Sequence, residues 1–83
     1  MYKVVLRKHA NKVLKKLDER YKYKVVRALH FLAIDPSLGK PLHGEFEGKY
    51  SLRVWPYRII YRIYKDKLIV YVFSIGHRRG VYK

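Results

Sequence analysis

Tyr50-Ser51-Leu52-Arg53-Val54-Trp55-Pro56-Tyr57-Arg58-Ile59-Ile60-Tyr61-Arg62-Ile63 changes the hydrophobic period of this chain to two. Tyr50, Leu52 and Val54 alternate with Ser51, Arg53 and Trp55, and Ile59, Tyr61 and Ile63 alternate with Arg58, Ile60 and Arg62. Successive side chains of a strand point to opposite faces, so each segment predicts a strand with one apolar side. With Trp55 and Pro56 as a two-residue loop, the strands pair with Arg53 opposite Arg58 and Leu52 opposite Ile59. Leu52, Val54, Ile59, Tyr61 and Ile63 then face the core, and Ser51, Arg53, Arg58 and Arg62 lie on an open face. A slip of one residue would exchange the faces, so register decides the reading. Like charges directly opposite each other destabilise a bare sheet. An anion lodged between Arg53 and Arg58 explains the pair more readily than two side chains splayed into solvent.

Working outward, Lys65-Asp66-Lys67 marks the next turn, and Leu68 to Ile75 is apolar on both faces, as in a strand inside its sheet. The basic block Ile75-Gly76-His77-Arg78-Arg79-Gly80-Val81-Tyr82 follows. A meander of these strands gathers arginines, His77 and Tyr82 near one patch. On the other side, residues 36–48 hold Pro36, Gly39, Pro41, Gly44 and Gly48 and read as a loop. Tyr21, Val25, Ala28, Leu29 and Leu32 form one stripe of a helix that Asp35-Pro36 stops and Asp18-Glu19 begins. Ala10, Val13, Leu14 and Leu17 mark an earlier helix of about three turns, with Lys12, Lys15 and Lys16 opposite. The two helices predict an antiparallel hairpin. Tyr2 to Leu6 reads as a first strand. The order β-α-α-β-β-β predicts an α+β fold, a small antiparallel-rich sheet with the two-helix hairpin on one face. Residues 1–83 form one domain, too short for a second core.

Twenty Lys and Arg against six Asp and Glu give a formal charge of +14, which points to a polyanion or an acidic protein as partner. Thermal adaptation adds both signs of charge, whereas only basic residues abound here. Cysteine is absent, which excludes disulfides, thiolate zinc sites and a cysteine nucleophile. No apolar run reaches the roughly 20 residues of a membrane span. Met1-Tyr2-Lys3-Val4-Val5-Leu6 lacks a signal-peptide pattern, so the expected location is cytoplasmic. His43, Glu45 and Glu47 lack the spacing of a metal site, and His9 and His30 read as ordinary helix residues. Lys12, Lys15, Lys16, Lys22 and Lys24 form a broad basic surface for RNA, while Tyr71 and Tyr82 are candidates for stacking on bases.

Such a patch has the groups to grip a phosphate and move protons without a metal, and metal-free RNA cleavage is one chemistry that needs both. The 2′-hydroxyl attacks its own 3′-phosphate, leaving a 2′,3′-cyclic phosphate and a free 5′-hydroxyl. One oxygen must lose a proton, the other must gain one, and the phosphorane between them needs stabilisation. Guanidinium groups suit the last task. His77 is the candidate for proton transfer, with contact to a backbone phosphate or a protein partner as its alternative role. Glu47 is a second candidate base.

The ordered set Leu42-His43-Gly44, Tyr50-Ser51-Leu52-Arg53-Val54, Tyr57-Arg58-Ile59-Ile60-Tyr61 and Ile75 to Tyr82 resembles the RelE/ParE superfamily of bacterial and archaeal toxins, on its RelE side. The resemblance implies a toxin that enters the ribosomal A site and cuts mRNA there, held inactive by an antitoxin whose helix covers it. It implies no cofactor and no metal. By position it makes Arg58 and Arg78 the phosphate-stabilising arginines and Tyr82 the tyrosine that stacks on or orients the nucleotide. Arg53 takes the second of two basic positions, and Ser51 stands at the first, where a lysine is expected. The full expected site is then Arg53, Arg58, His77, Arg78 and Tyr82, with Lys49, Ser51, Arg62, Arg79 and Lys83 as RNA contacts. A ParE-like toxin that poisons DNA gyrase without nuclease activity, and a degenerate module that binds only RNA or antitoxin, are the competing functions. Fold alone cannot separate them.

Overall fold

A computed structural model describes residues 1–77 of the chain. They run through β1 (Lys3–Leu6), α1 (Lys8–Lys16), α2 (Glu19–Ile34), β2 (Lys40–Pro41), β3 (Tyr50–Val54), β4 (Tyr57–Tyr64) and β5 (Ile69–His77). The five strands form one sheet in the order β1-β5-β4-β3-β2. All pairs are antiparallel except β1 with β5, so the sheet is mixed. β5, apolar on both faces, lies inside the sheet between β1 and β4.

The β3–β4 hairpin has the register its alternation predicts. Leu52 stands across from Ile59, Arg53 across from Arg58, and the loop is Trp55-Pro56, joined by a cis peptide. Ile59 and Tyr61 are fully buried, and Leu52, Val54 and Ile63 pack around the same core as Ala10 and Leu14 of α1 and Val25, Leu29 and Leu32 of α2. Both helices thus cover one sheet face. Asp35 ends α2 and accepts hydrogen bonds from the backbone N–H and hydroxyl of Ser37, which start a 3₁₀ turn at Pro36–Leu38.

Two features depart from expectation. Residues 36–48 are not loop throughout, because Lys40–Pro41 adds a two-residue edge strand to β3. Proline suits that edge, where no partner needs its missing N–H. The second is a bulge. Ile60 pairs with Ser74 and Tyr61 with Val72, which leaves Phe73 as the extra residue of β5. Val70 and Val72 face the core before it, and Ile75 faces the core after it. The bulge therefore reverses the parity of the last turns of β5.

Tyr61 joins these parts. Its ring is fully buried and stacked on Tyr50 at 5.5 Å between centroids. Its hydroxyl donates to the carbonyl of Pro36 at 2.6 Å and accepts from the N–H of Gly39 at 2.9 Å. Burial raises the hydroxyl's pKa above the ordinary 10.0, opposed by the Gly39 hydrogen bond. Gly39 has to be glycine here, because a Cβ would sit 2.5 Å from that hydroxyl.

Candidate functional site

The sheet face away from the helices is less open than its sequence suggests. Ser51 is only 7% exposed and Ile60 only 3%. The segment before β3 folds over the middle of this face. Arg62 Nε donates to the carbonyl of Gly48 at 3.4 Å, and Lys49 Nζ lies 4.4 Å from the centre of the Phe73 ring. Two of the expected RNA contacts, Lys49 and Arg62, are thus engaged within the protein.

At the β2 end of the same face is a cleft of about 450 Å³, lined by Leu38, Lys40, Pro41, Leu42, Ser51, Leu52, Arg53 and Arg58. Among the described residues no carboxylate lines it. Ser51 and Arg58 differ by two positions along the paired strands and share a face, since Ser51 stands across from Ile60 and Arg58 across from Arg53. Ser51 Oγ and Arg58 Nε are both buried, and among the described residues neither has a hydrogen-bond partner. A buried donor without a partner is costly, more so when charged. Two in one cation-lined cleft fit an anion with several acceptor oxygens.

The structure brings Ser51, Arg53 and Arg58 together and sets His77 apart. Across from Arg58 stands Gly76, whereas His77 stands across from Tyr57. Tyr57 shares the parity of buried Ile59, and its ring meets Tyr21 of α2 at 5.6 Å and His77 at 6.1 Å. His77 therefore stands on the helix-bearing side of the sheet, at its exposed end. Glu47 does not line the cleft. Arg78, Arg79, Tyr82 and Lys83 lie outside the described residues. Lys40 is the cleft residue that sequence reasoning missed, since a lysine between glycine and proline gives no periodic signal.

A second hollow, of about 720 Å³, lies between α2 and β3. Tyr23, Ala28, Phe31, Leu38, Leu52 and Val54 give it an apolar lining, and Arg20, Lys24, Arg27 and Arg53 surround it with positive charge. Tyr23 and Phe31 expose 66% and 49% of their surface. Arg53 borders both hollows. Among the described residues no group of three or more His, Asp or Glu could hold a metal ion, and no helix is long and apolar enough to cross a membrane.

Comparison with known proteins gives this arrangement a family. Residues 4–82 match the family model described as the ParE toxin of the type II toxin-antitoxin system parDE. Toxin RelG of Mycobacterium tuberculosis (strain ATCC 25618 / H37Rv) is 36% identical over an alignment of 76 residues, with 89% of this chain and 87% of the relative covered. In the crystal structure of the M. tuberculosis toxin-antitoxin complex RelBE2, one chain is 34% identical and superposes with a TM-score of 0.85, over 93% of this chain and 98% of that one. The intact E. coli RelBE toxin-antitoxin complex contains a chain that is 26% identical with a TM-score of 0.79, over 93% and 96% of the two chains. With nearly its whole length matched in sequence and fold, the chain belongs to the RelE/ParE family of toxins of type II toxin-antitoxin systems.

Proposed function

We propose that this toxin is a cytoplasmic, ribosome-dependent endoribonuclease that cuts mRNA in the A site and so stops translation. One observation carries the reading: Ser51 Oγ and Arg58 Nε, buried and without a hydrogen-bond partner among the described residues, border one cleft with Arg53 and Lys40. An RNA phosphate in that cleft accepts from both orphaned donors and relieves the repulsion between Arg53 and Arg58. As the 2′-oxygen attacks, negative charge grows on the non-bridging oxygens. Guanidinium groups fixed there before the reaction stabilise that charge without reorganising. By resemblance, Arg78 joins Arg58 on the phosphate, Tyr82 orients the nucleotide, and Arg79 and Lys83 add contacts to the RNA backbone. His77, on the other side of the sheet, is assigned to contact with ribosomal RNA or antitoxin instead of proton transfer.

The antitoxin is the second partner in this reading. The α2–β3 hollow offers apolar side chains ringed by Arg20, Lys24, Arg27 and Arg53, which suits an amphipathic segment with acidic residues.

Ribosomes programmed with a defined mRNA test the nuclease reading. The wild-type protein is expected to cut in the A site and leave 5′-hydroxyl ends. Arg58→Ala is expected to lose roughly 10²–10³-fold in rate while remaining folded, the usual loss for one preorganised charge-stabilising donor. Wild-type cutting by folded Arg58→Ala would overturn the site. The alternative, a gyrase poison, is favoured by the ParE description of the matched family model, and inhibition of supercoiling with mRNA left intact would establish it.

A further inference from the structure

We propose that Lys40 is a catalytic residue of the RNA site, its ammonium contacting a non-bridging oxygen of the scissile phosphate. The inference rests on the nuclease reading above. Its starting point is register. Lys40 stands directly across from Ser51 on the neighbouring strand, so the two side chains leave the sheet on the same face. Ser51 is small, uncharged and buried, so nothing at its own position brings charge to that wall of the cleft. Lys40 borders the same cleft, together with Arg53 and Arg58. Its charge engages neither of the ion pairs of the described residues, Arg20 with Asp18 and Lys22 with Glu19.

A strand of two residues is a weak platform unless its ends are held, and here both are. The Gly39 N–H is bound to Tyr61 Oη at 2.9 Å on one side of Lys40, and the Leu42 N–H to the Lys49 carbonyl at 2.9 Å on the other. The lysine therefore springs from fixed backbone, with a flexible stem on the same face as Ser51. Three adjacent strands, β2, β3 and β4, each bring one cation to the cleft.

The growth of negative charge during the reaction gives Lys40 its task. A phosphodiester carries one negative charge, and the phosphorane formed from it carries two. The O2′–P bond forms and the P–O5′ bond breaks; the 2′-hydroxyl gives its proton to water and the 5′-oxygen takes one from water. Lys40 keeps its own protons throughout and meets the added charge. Its effect is accordingly larger on the rate of the bound complex than on binding, since interactions stronger in the transition state raise kcat.

The test compares Lys40→Ala, Lys40→Arg and the double variant Lys40→Ala with Ser51→Lys. Single-turnover cleavage is measured on programmed ribosomes at saturating toxin, alongside urea unfolding. Lys40→Ala is expected to lose roughly 10²-fold in rate with an unchanged unfolding midpoint. Lys40→Arg keeps most of the rate, and Ser51→Lys restores at least about tenfold to the alanine variant, because either change returns a cation to the same wall. Wild-type cutting by Lys40→Ala overturns the proposal. So does a double variant that keeps the wild-type unfolding midpoint yet stays as slow as the single one, because a cation on that wall then carries none of the rate. Should the wild-type protein cut no mRNA, the nuclease reading has failed, and Lys40 is judged by binding of a 2′-deoxy-substituted RNA hexamer. A salt slope smaller by roughly 0.7 in Lys40→Ala, the loss of one single-strand phosphate contact, keeps it in the anion cleft, and an unchanged slope removes it.

Discussion

Removing one oxygen atom tests how the cleft is held in place. Tyr61→Phe keeps the buried ring and its stack on Tyr50 but deletes the hydroxyl that joins Pro36 and Gly39. The Gly39 N–H is buried and loses its acceptor, at a cost of about 1–3 kcal/mol. The Pro36 carbonyl is partly buried and recovers some hydration, so its lost bond adds about 0.5–1 kcal/mol. The expected destabilisation is about 2–3 kcal/mol, a large share of the roughly 4–12 kcal/mol expected for a domain of this size. In thermal unfolding that lowers Tm by roughly 10–20 °C. The pH dependence identifies the group. Burial raises the pKa of Tyr61 in the folded protein, so the unfolded chain ionises first. Its contribution is then fully present below pH 10 and is lost as pH rises through the folded value. The stability gap between wild type and Tyr61→Phe should therefore narrow above pH 10. The other eight tyrosines are common to both proteins and drop out of the comparison. A gap below about 0.5 kcal/mol at neutral pH, or one constant into alkali, would refute the clamp.

Three further outcomes follow from the same geometry. Gly39→Ala places a Cβ 2.5 Å from Tyr61 Oη and 3.0 Å from the Ser51 carbonyl, and should cost about 1–3 kcal/mol in urea unfolding. Gly48→Ala forces a side chain onto a residue at φ 92° and pushes against the Arg62 guanidinium, with an expected loss of about 1–2 kcal/mol in the same measurement. Phe31→Ala removes apolar surface from the α2–β3 hollow and should weaken antitoxin binding about tenfold or more by titration calorimetry, with cleavage on programmed ribosomes unchanged.

The hairpin was legible because its two strands carry opposite preferences on their two faces, and only one register around Trp55-Pro56 satisfies both. Leu52 across from Ile59 and Arg53 across from Arg58 follow from that alone. β2 was not legible, because Lys40–Pro41 is too short for any period and contains proline. His77 shows a different limit. Counting outward from Val70 and Val72 in steps of two sets His77 on the face of Arg58. The bulge at Phe73 consumes one residue and turns Ile75 and His77 to the helix side. A strand apolar on both faces offers no alternation from which such an insertion can be detected. The orphaned pair Ser51 Oγ and Arg58 Nε was half legible: sequence named both residues, but it could not show that the face around them is closed.

Arg53 belongs to two hollows at once, the cation-lined cleft and the groove beside α2. With the cleft as the proposed phosphate site, a segment whose carboxylate draws Arg53 into the groove would remove it from the phosphate without touching Ser51 or Arg58. Linkage makes the effect run both ways, so that RNA holding Arg53 in the cleft weakens the segment by the same factor. Inhibition of this kind needs no obstruction of the cleft, only a tug-of-war over one guanidinium.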